Sequence, residues 1–263
     1  MLLENKVALV HGAAGEVGRK VAETFAAEGA MVWLTGRQSQ RLAPIVAAIR
    51  NGGGSADPLT IDALDAASVD RCTEAVVQSS GRIDVVFNAI AVGQARTIIG
   101  PSTEVQPDVF LESFRTVVLS QFLTARSAAR HMLRAGGGAI VLLTATPGRG
   151  VAPLMASHSA GHAAIEGLVK CLATEWGPGG IRVTGLMSGG MPETARIREV
   201  LSAMAGFANV PPEAMSDMAR QKTQLKRMPT LEQTARAAAF LASDHAGSLS
   251  GTILNASCGE VVD

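Results

Sequence analysis

The feature that most constrains this chain is a rhythm. A short apolar run ends at a polar or glycine-rich turn, an amphipathic segment follows, and the unit repeats. Val7-Ala8-Leu9-Val10 ends at His11-Gly12, and Val21, Ala22, Phe25 and Ala26 then recur at helical spacing. Met31 to Thr35 ends at Gly36-Arg37, and a helix is expected over Gln40 to Arg50. Pro58-Leu59-Thr60-Ile61 ends at Asp62, with a helix over about Ala66 to Gln78. Ile83 to Phe87 ends at Asn88. Helical patterns around Asp108–Ala135, a strand at 139–144, a helix at 157–176 and a strand Ile181–Thr184 continue the alternation, and Gly177-Pro178-Gly179 stops the last of these helices. Nearly continuous apolar strands separated by helices predict an α/β fold: a parallel sheet covered on both faces, in one domain.

Composition supports a large core. Of 263 residues, 47% are hydrophobic and 17% charged. A formal net charge of zero argues against nucleic acid or an anionic membrane as a partner. Cys72, Cys171 and Cys258 show no C-x-x-C spacing, which points to free thiols in a reducing cytoplasm. No signal peptide pattern is seen, and no apolar run is long enough to span a bilayer. There is no tyrosine, so a mechanism that needs a phenol is excluded.

From Ser188 to Pro229 the rhythm breaks. Two helices are expected there, at about Thr194–Met204 and Pro211–Gln221, carrying Leu201, Met204, Phe207, Met215 and Met218. A long insertion after a strand's carboxyl end in such a sheet predicts a substrate lid at 188–229 over an apolar ligand, with a packing or oligomer element as the alternative.

Gly12, Gly15 and Gly18 lie between the first strand and the first helix, where a backbone without side chains lets a pyrophosphate approach helix N–H groups. Gly36 stands where a ribose-binding carboxylate would select NAD, and Arg37 follows it. An arginine there suits a 2′-phosphate, so NADP(H) is expected over NAD(H).

The stretches Gly12 to Arg19, Asp62, Asn88-Ala89, Glu175 to Val183, Arg227 to Thr230, Phe240 to Asp244 and Ser250 to Asn255 together resemble the short-chain dehydrogenase/reductase family over essentially the whole length. The resemblance implies a Rossmann-type, doubly wound sheet of about seven parallel strands, a nicotinamide cofactor, a small-molecule substrate, and a homotetramer or homodimer. By position it makes Gly12, Gly15, Val17, Gly18, Arg37, Asp62, Ala63, Asn88, Ala89, His162, Gly189 and Thr194 cofactor-binding. Asp62 would face the adenine, Asn88 would steady the fourth strand and the ribose, and the segment from Ser188 to Thr194 would cover the nicotinamide.

The departures concern chemistry. His11 and Glu16 stand where most members have threonine and glycine, and an inward-turned Glu16 would repel a pyrophosphate. The family's catalytic serine, tyrosine, lysine and asparagine fall on Ala145, His158, His162 and Val117. Thr144 and Thr146 flank Ala145, although strand alternation points Thr144 the other way. His158 and His162, four apart on a helix, share one face.

Several readings stay open. His158, with an ordinary pKa of about 6.5, gives a proton as imidazolium while NADPH delivers hydride, and His162 touches the ribose. Alternatively the chain is a non-redox or catalytically inactive protein of the same fold, binding a ligand or pairing with an active homologue, and the histidines fill space. As a third reading the pair binds a metal, but no third ligand is evident, and no metal is assigned. Of the other histidines, His131 reads as a surface cap, His245 as a loop residue, and His11 as a contact or packing group beneath the cofactor.

Overall fold

The computed structural model describes residues 1–92 and 99–262. Within them the chain runs β1 (Val7–His11), α1 (Glu16–Ala27), β2 (Met31–Gly36), α2 (Ser39–Asn51), β3 (Ser55–Thr60), α3 (Ala66–Ser80) and β4 (Val85–Asn88). There follow α4 (Pro107–Phe114), α5 (Ser120–Ala135), β5 (Gly138–Ala145), α6 (Ala156–Trp176), β6 (Ile181–Ser188), α7 (Ala195–Ala208), α8 (Pro212–Lys222), α9 (Leu231–Ala242) and β7 (Ile253–Ala256). The strands form one seven-stranded sheet in the order β3-β2-β1-β4-β5-β6-β7, with every pairing parallel.

Both faces are covered, which is why the inner strands read as unbroken apolar runs. Val21, Ala22 and Phe25 of α1, Leu42 and Ile49 of α2, and Ala235 and Ala239 of α9 form one core with Val10, Leu34 and Phe87. Ala125 and Met132 of α5 and Ile165 and Val169 of α6 form a second core with Leu9, Ile140 and Val183. Phe25 meets Phe87 edge to face at 6.2 Å, an arrangement that the ring quadrupoles favour.

Boundaries moved where packing overrode local pattern. β3 begins at Ser55, three residues before the apolar run, and ends at Thr60. It is an edge strand with mostly exposed side chains, so polar residues and Pro58 are tolerated in it. β6 continues four residues past Thr184 because it is held between β5 and β7. The helical pattern over 108–135 is interrupted by a π-helical turn at Arg115–Leu119. Such turns often mark functional positions. Here the turn brings Val117 beside α6: a Cβ added at Gly161 would lie 3.9 Å from the Val117 Cβ.

Candidate functional site

In a parallel sheet the strand order reverses somewhere, and the crevice outside the carboxyl ends opens there. In this chain the reversal lies between β1 and β4. Gly12 leaves β1 at a φ of +73°, and a Cβ on it would stand 3.0 Å from the Ala89 carbonyl carbon and the Ile90 nitrogen. Ala13 N–H donates to the Thr35 carbonyl at 3.0 Å, and Ala89 N–H donates to the His11 carbonyl at 3.0 Å. The loop is thereby stitched to β2 on one side and β4 on the other. Gly15 is the N-cap of α1. A turn in which Gly12 and Gly18 leave no room for a side chain, opening on a helix N-terminus, fits a dinucleotide diphosphate.

Around this cradle stand the other expected residues. Asn88 is fully buried. Its Nδ2 donates to Thr124 Oγ1 at 2.9 Å and its Oδ1 accepts from Ile90 N–H at 2.8 Å, so it fixes the end of β4. Asp62 is exposed and accepts from Leu64 N–H at 3.0 Å, while Ala63 is buried. Arg37 is exposed beyond β2. Arg41, on α2, donates to the Ala14 carbonyl at 3.3 Å, which places a second guanidinium on the rim. It had no signal in the sequence, because a helix arginine looks like any solvated charge.

Glu16 does not turn into the cradle. Its carboxylate accepts the Ala195 N–H at 3.0 and 3.2 Å and so caps the first turn of α7. Thr194, the N-cap of α7, accepts from Ile197 N–H at 3.3 Å and donates to the Met191 carbonyl at 2.8 Å. The 188–229 segment is therefore tied to the cofactor loop by charge-assisted contact.

His158 and His162 meet on α6 with ring centroids 4.3 Å apart and planes at 79°. His162 is buried, and its Nδ1 lies 3.4 Å from Thr144 Oγ1 near the end of β5. Burial pushes His158 down to about 2 and His162 down to about 4, with the Arg196 charge lowering both and His162 lowering His158. Burial therefore favours the neutral ring at both positions, below the ordinary 6.5 from which the imidazolium reading starts. The sequence could only supply the ordinary pKa; the desolvation arises from the fold. His158 Nδ1 is buried without a hydrogen-bond partner. Among the described residues no group of three or more His, Cys, Asp or Glu side chains is placed to hold a metal.

Neither threonine beside Ala145 is free to replace a serine. Thr144 is buried and donates to the His162 carbonyl at 3.2 Å, with His162 Nδ1 a further 3.4 Å contact. Thr146 donates to Glu260 Oε2 at 3.1 Å. Glu260 lies against Gly189, where a Cβ would stand 3.0 Å from that same oxygen. Burial raises the Glu260 carboxyl, and Thr146 and Lys222 partly offset the rise. Nothing in the sequence singled Glu260 out, since it reaches the site from the C-terminal tail.

Three histidines lie away from the pair. His11 is fully buried, with Nδ1 2.9 Å from Thr35 Oγ1, and burial pushes it down to about 3. It packs beneath the loop. His131 stands 3.6 Å from Glu74, and His245 is exposed.

A family model described as enoyl-(acyl carrier protein) reductase matches residues 12–260. With it, the parallel sheet and the glycine loop, the chain belongs to the short-chain dehydrogenase/reductase family. It is 32% identical to an A-factor type gamma-butyrolactone 1'-reductase of Streptomyces virginiae, over 96% of this chain and 94% of that protein. It is 29% identical to a D-threitol dehydrogenase of Mycolicibacterium smegmatis, over 96% and 91%. A gluconate 5-dehydrogenase from Burkholderia cenocepacia, solved with NADP and tartrate, superposes with a TM-score of 0.87 at 25% identity, covering 98% of this chain and 96% of that one. Among the described residues no helix is long and apolar enough to cross a membrane.

Proposed function

We propose that this chain is an NADP(H)-dependent reductase acting on a carbonyl or conjugated alkene of a mainly apolar small molecule. What supports this reading is the tight glycine turn that opens on α1, together with the paired imidazoles of α6. Gly12, Gly15, Val17 and Gly18 would hold the diphosphate, Arg37 and Arg41 the adenosine end, and Asn88, His162, Gly189 and Thr194 the nicotinamide side. A reduced nicotinamide supplies hydride when bound there. The 188–229 segment acts as a lid, and neutral His158 donates or accepts a hydrogen bond at the substrate without delivering a proton. The active assembly is a cytoplasmic homotetramer or homodimer.

Two tests address this reading. In a fluorescence titration NADPH is expected to bind about tenfold more tightly than NADH, a difference of about 1.4 kcal/mol. Arg37→Ala is expected to abolish that preference. His158→Ala is expected to retain enone reduction within about tenfold, because loss of a general acid costs roughly 10²–10⁴-fold. A loss of that larger size would make His158 the proton donor after all.

A second reading, a non-redox ligand-binding protein, is favoured by Ala145 and Val117, which stand where the family keeps its serine and asparagine. If neither NADPH nor NADH binds, this reading replaces the first.

A further inference from the structure

The catalytic positions leave one question open: what holds the reacting oxygen of a substrate. Ala145 carries no hydroxyl, and Thr144 and Thr146 are committed elsewhere. A half-buried guanidinium enters this region from the 188–229 segment, that of Arg196. Arg196, in the first turn of α7, directly follows the Ala195 amide that Glu16 holds at 3.0 Å, and its Nη1 donates to the Val92 carbonyl at 2.6 Å, beyond β4. Its Nη2 is buried with no partner. Its charge acts on both His158 and His162, and the His158 ring adds a second unpartnered buried nitrogen.

We propose that Arg196 is a catalytic residue: its free Nη2 binds the single oxygen on which negative charge develops during reduction. The shape of the donor selects the ligand. A guanidinium with both tines free takes a carboxylate bidentately. Here one tine is spent on Val92, so one N–H remains for one oxygen. That matches the carbonyl oxygen of a ketone or enone better than a carboxylate. Hydride addition to the substrate carbon moves the π pair onto this oxygen, directly for a ketone and through the conjugated system for an enone. A reduced nicotinamide held at the glycine turn would supply that hydride and its electron pair, and one proton from water completes the product. A fixed donor aimed at a developing oxyanion in a dry site lowers the barrier without reorganising. The arrangement also makes the site complete only when the lid is down, since Arg196 and the Glu16-held Ala195 are neighbours at the start of α7.

The inference rests on the reductase reading, and one experiment separates the two. The probe is 4-nitrophenol, a single-oxygen acid whose anion absorbs differently from its neutral form, and it needs no cofactor. Bound to the wild-type protein it is expected to ionise at lower pH than in solution. R196Q is expected to abolish that shift, and R196K, which keeps the charge, to retain most of it. In turnover, R196Q is expected to lower kcat about 10²–10³-fold, as for loss of an oxyanion donor. KM is expected to stay within about threefold and NADPH binding to be unchanged, the signature of an interaction made in the transition state. Equal ionisation in wild type and R196Q, or failure of the wild type to bind the anion, overturns the proposal even if NADPH binds. Loss of NADPH binding by the wild type with the nitrophenol shift intact sinks the reductase reading and leaves the anion site standing.

Discussion

Acidification from pH 7 to pH 4.5 is expected to cost this protein most of its stability. Three imidazoles are responsible: His11, pushed down to about 3, His158, to about 2, and His162, to about 4, in each case chiefly by desolvation. In the unfolded chain each titrates near the ordinary 6.5. Above that value both states are neutral and the groups cost nothing. Below it the unfolded state takes up protons that the fold refuses, so stability falls with pH through the window from 6.5 down towards each folded value. Two pH units below 6.5, a histidine that stays neutral in the fold costs roughly 3 kcal/mol. His158 and His162 titrate as a coupled pair, so the three costs do not simply add, yet any two of them are a large part of the about 5–15 kcal/mol that ordinary domains have in total. Glu260 acts in the opposite sense, because its carboxyl is raised. Urea unfolding at a series of pH values measures the slope. His11→Gln, which keeps a polar partner for Thr35, is expected to flatten it by about one proton. An unchanged slope in His11→Gln and in the double variant of His158 and His162 would show that the rings are charged in the fold.

Gly18→Ala is expected to abolish dinucleotide binding and destabilise the fold. The added Cβ would stand 2.4 Å from the Gly12 carbonyl oxygen and 2.8 Å from its carbon. Both are backbone atoms held by the stitching of the loop to β2 and β4, so no side-chain rotation relieves the clash. Either α1 moves off the sheet or the loop leaves its cradle. Overpacking of this kind costs about 1–3 kcal/mol, occasionally more. Gly15→Ala is the control: the nearest atom to its Cβ is the Gly12 oxygen at 3.4 Å, an ordinary contact. That variant is expected to fold like the wild type and to report on ligand approach alone. Thermal unfolding and NADPH titration of the two variants separate the effects. Equal melting temperatures for Gly18→Ala and wild type would show that the helix is not packed against the loop.

The paired rings show how far side-chain pattern reads a site. His158 and His162 were legible as neighbours because a helix places residues four apart on one face. Their neutrality was not, because it comes from surrounding residues contributed by other elements. Arg37 was legible at the end of a strand, whereas Arg41, a residue of the next helix, became a rim group only when α2 packed beside the loop. Arg196 and Glu260 carried no motif at all. Each reaches the crevice from a segment distant in sequence, Arg196 to Val92 and Glu260 to Thr146.

The sequence by itself determined the parallel α/β sheet, the glycine cradle and the absence of a phenol, since these follow from periodicity, residue size and composition. Only the tertiary structure decided the desolvation of the histidines, the destination of Glu16 and the bond that carries the Arg196 guanidinium to Val92. Desolvation and hydrogen bonding depend on which atoms converge in space, and local pattern holds no record of a contact made across 104 residues.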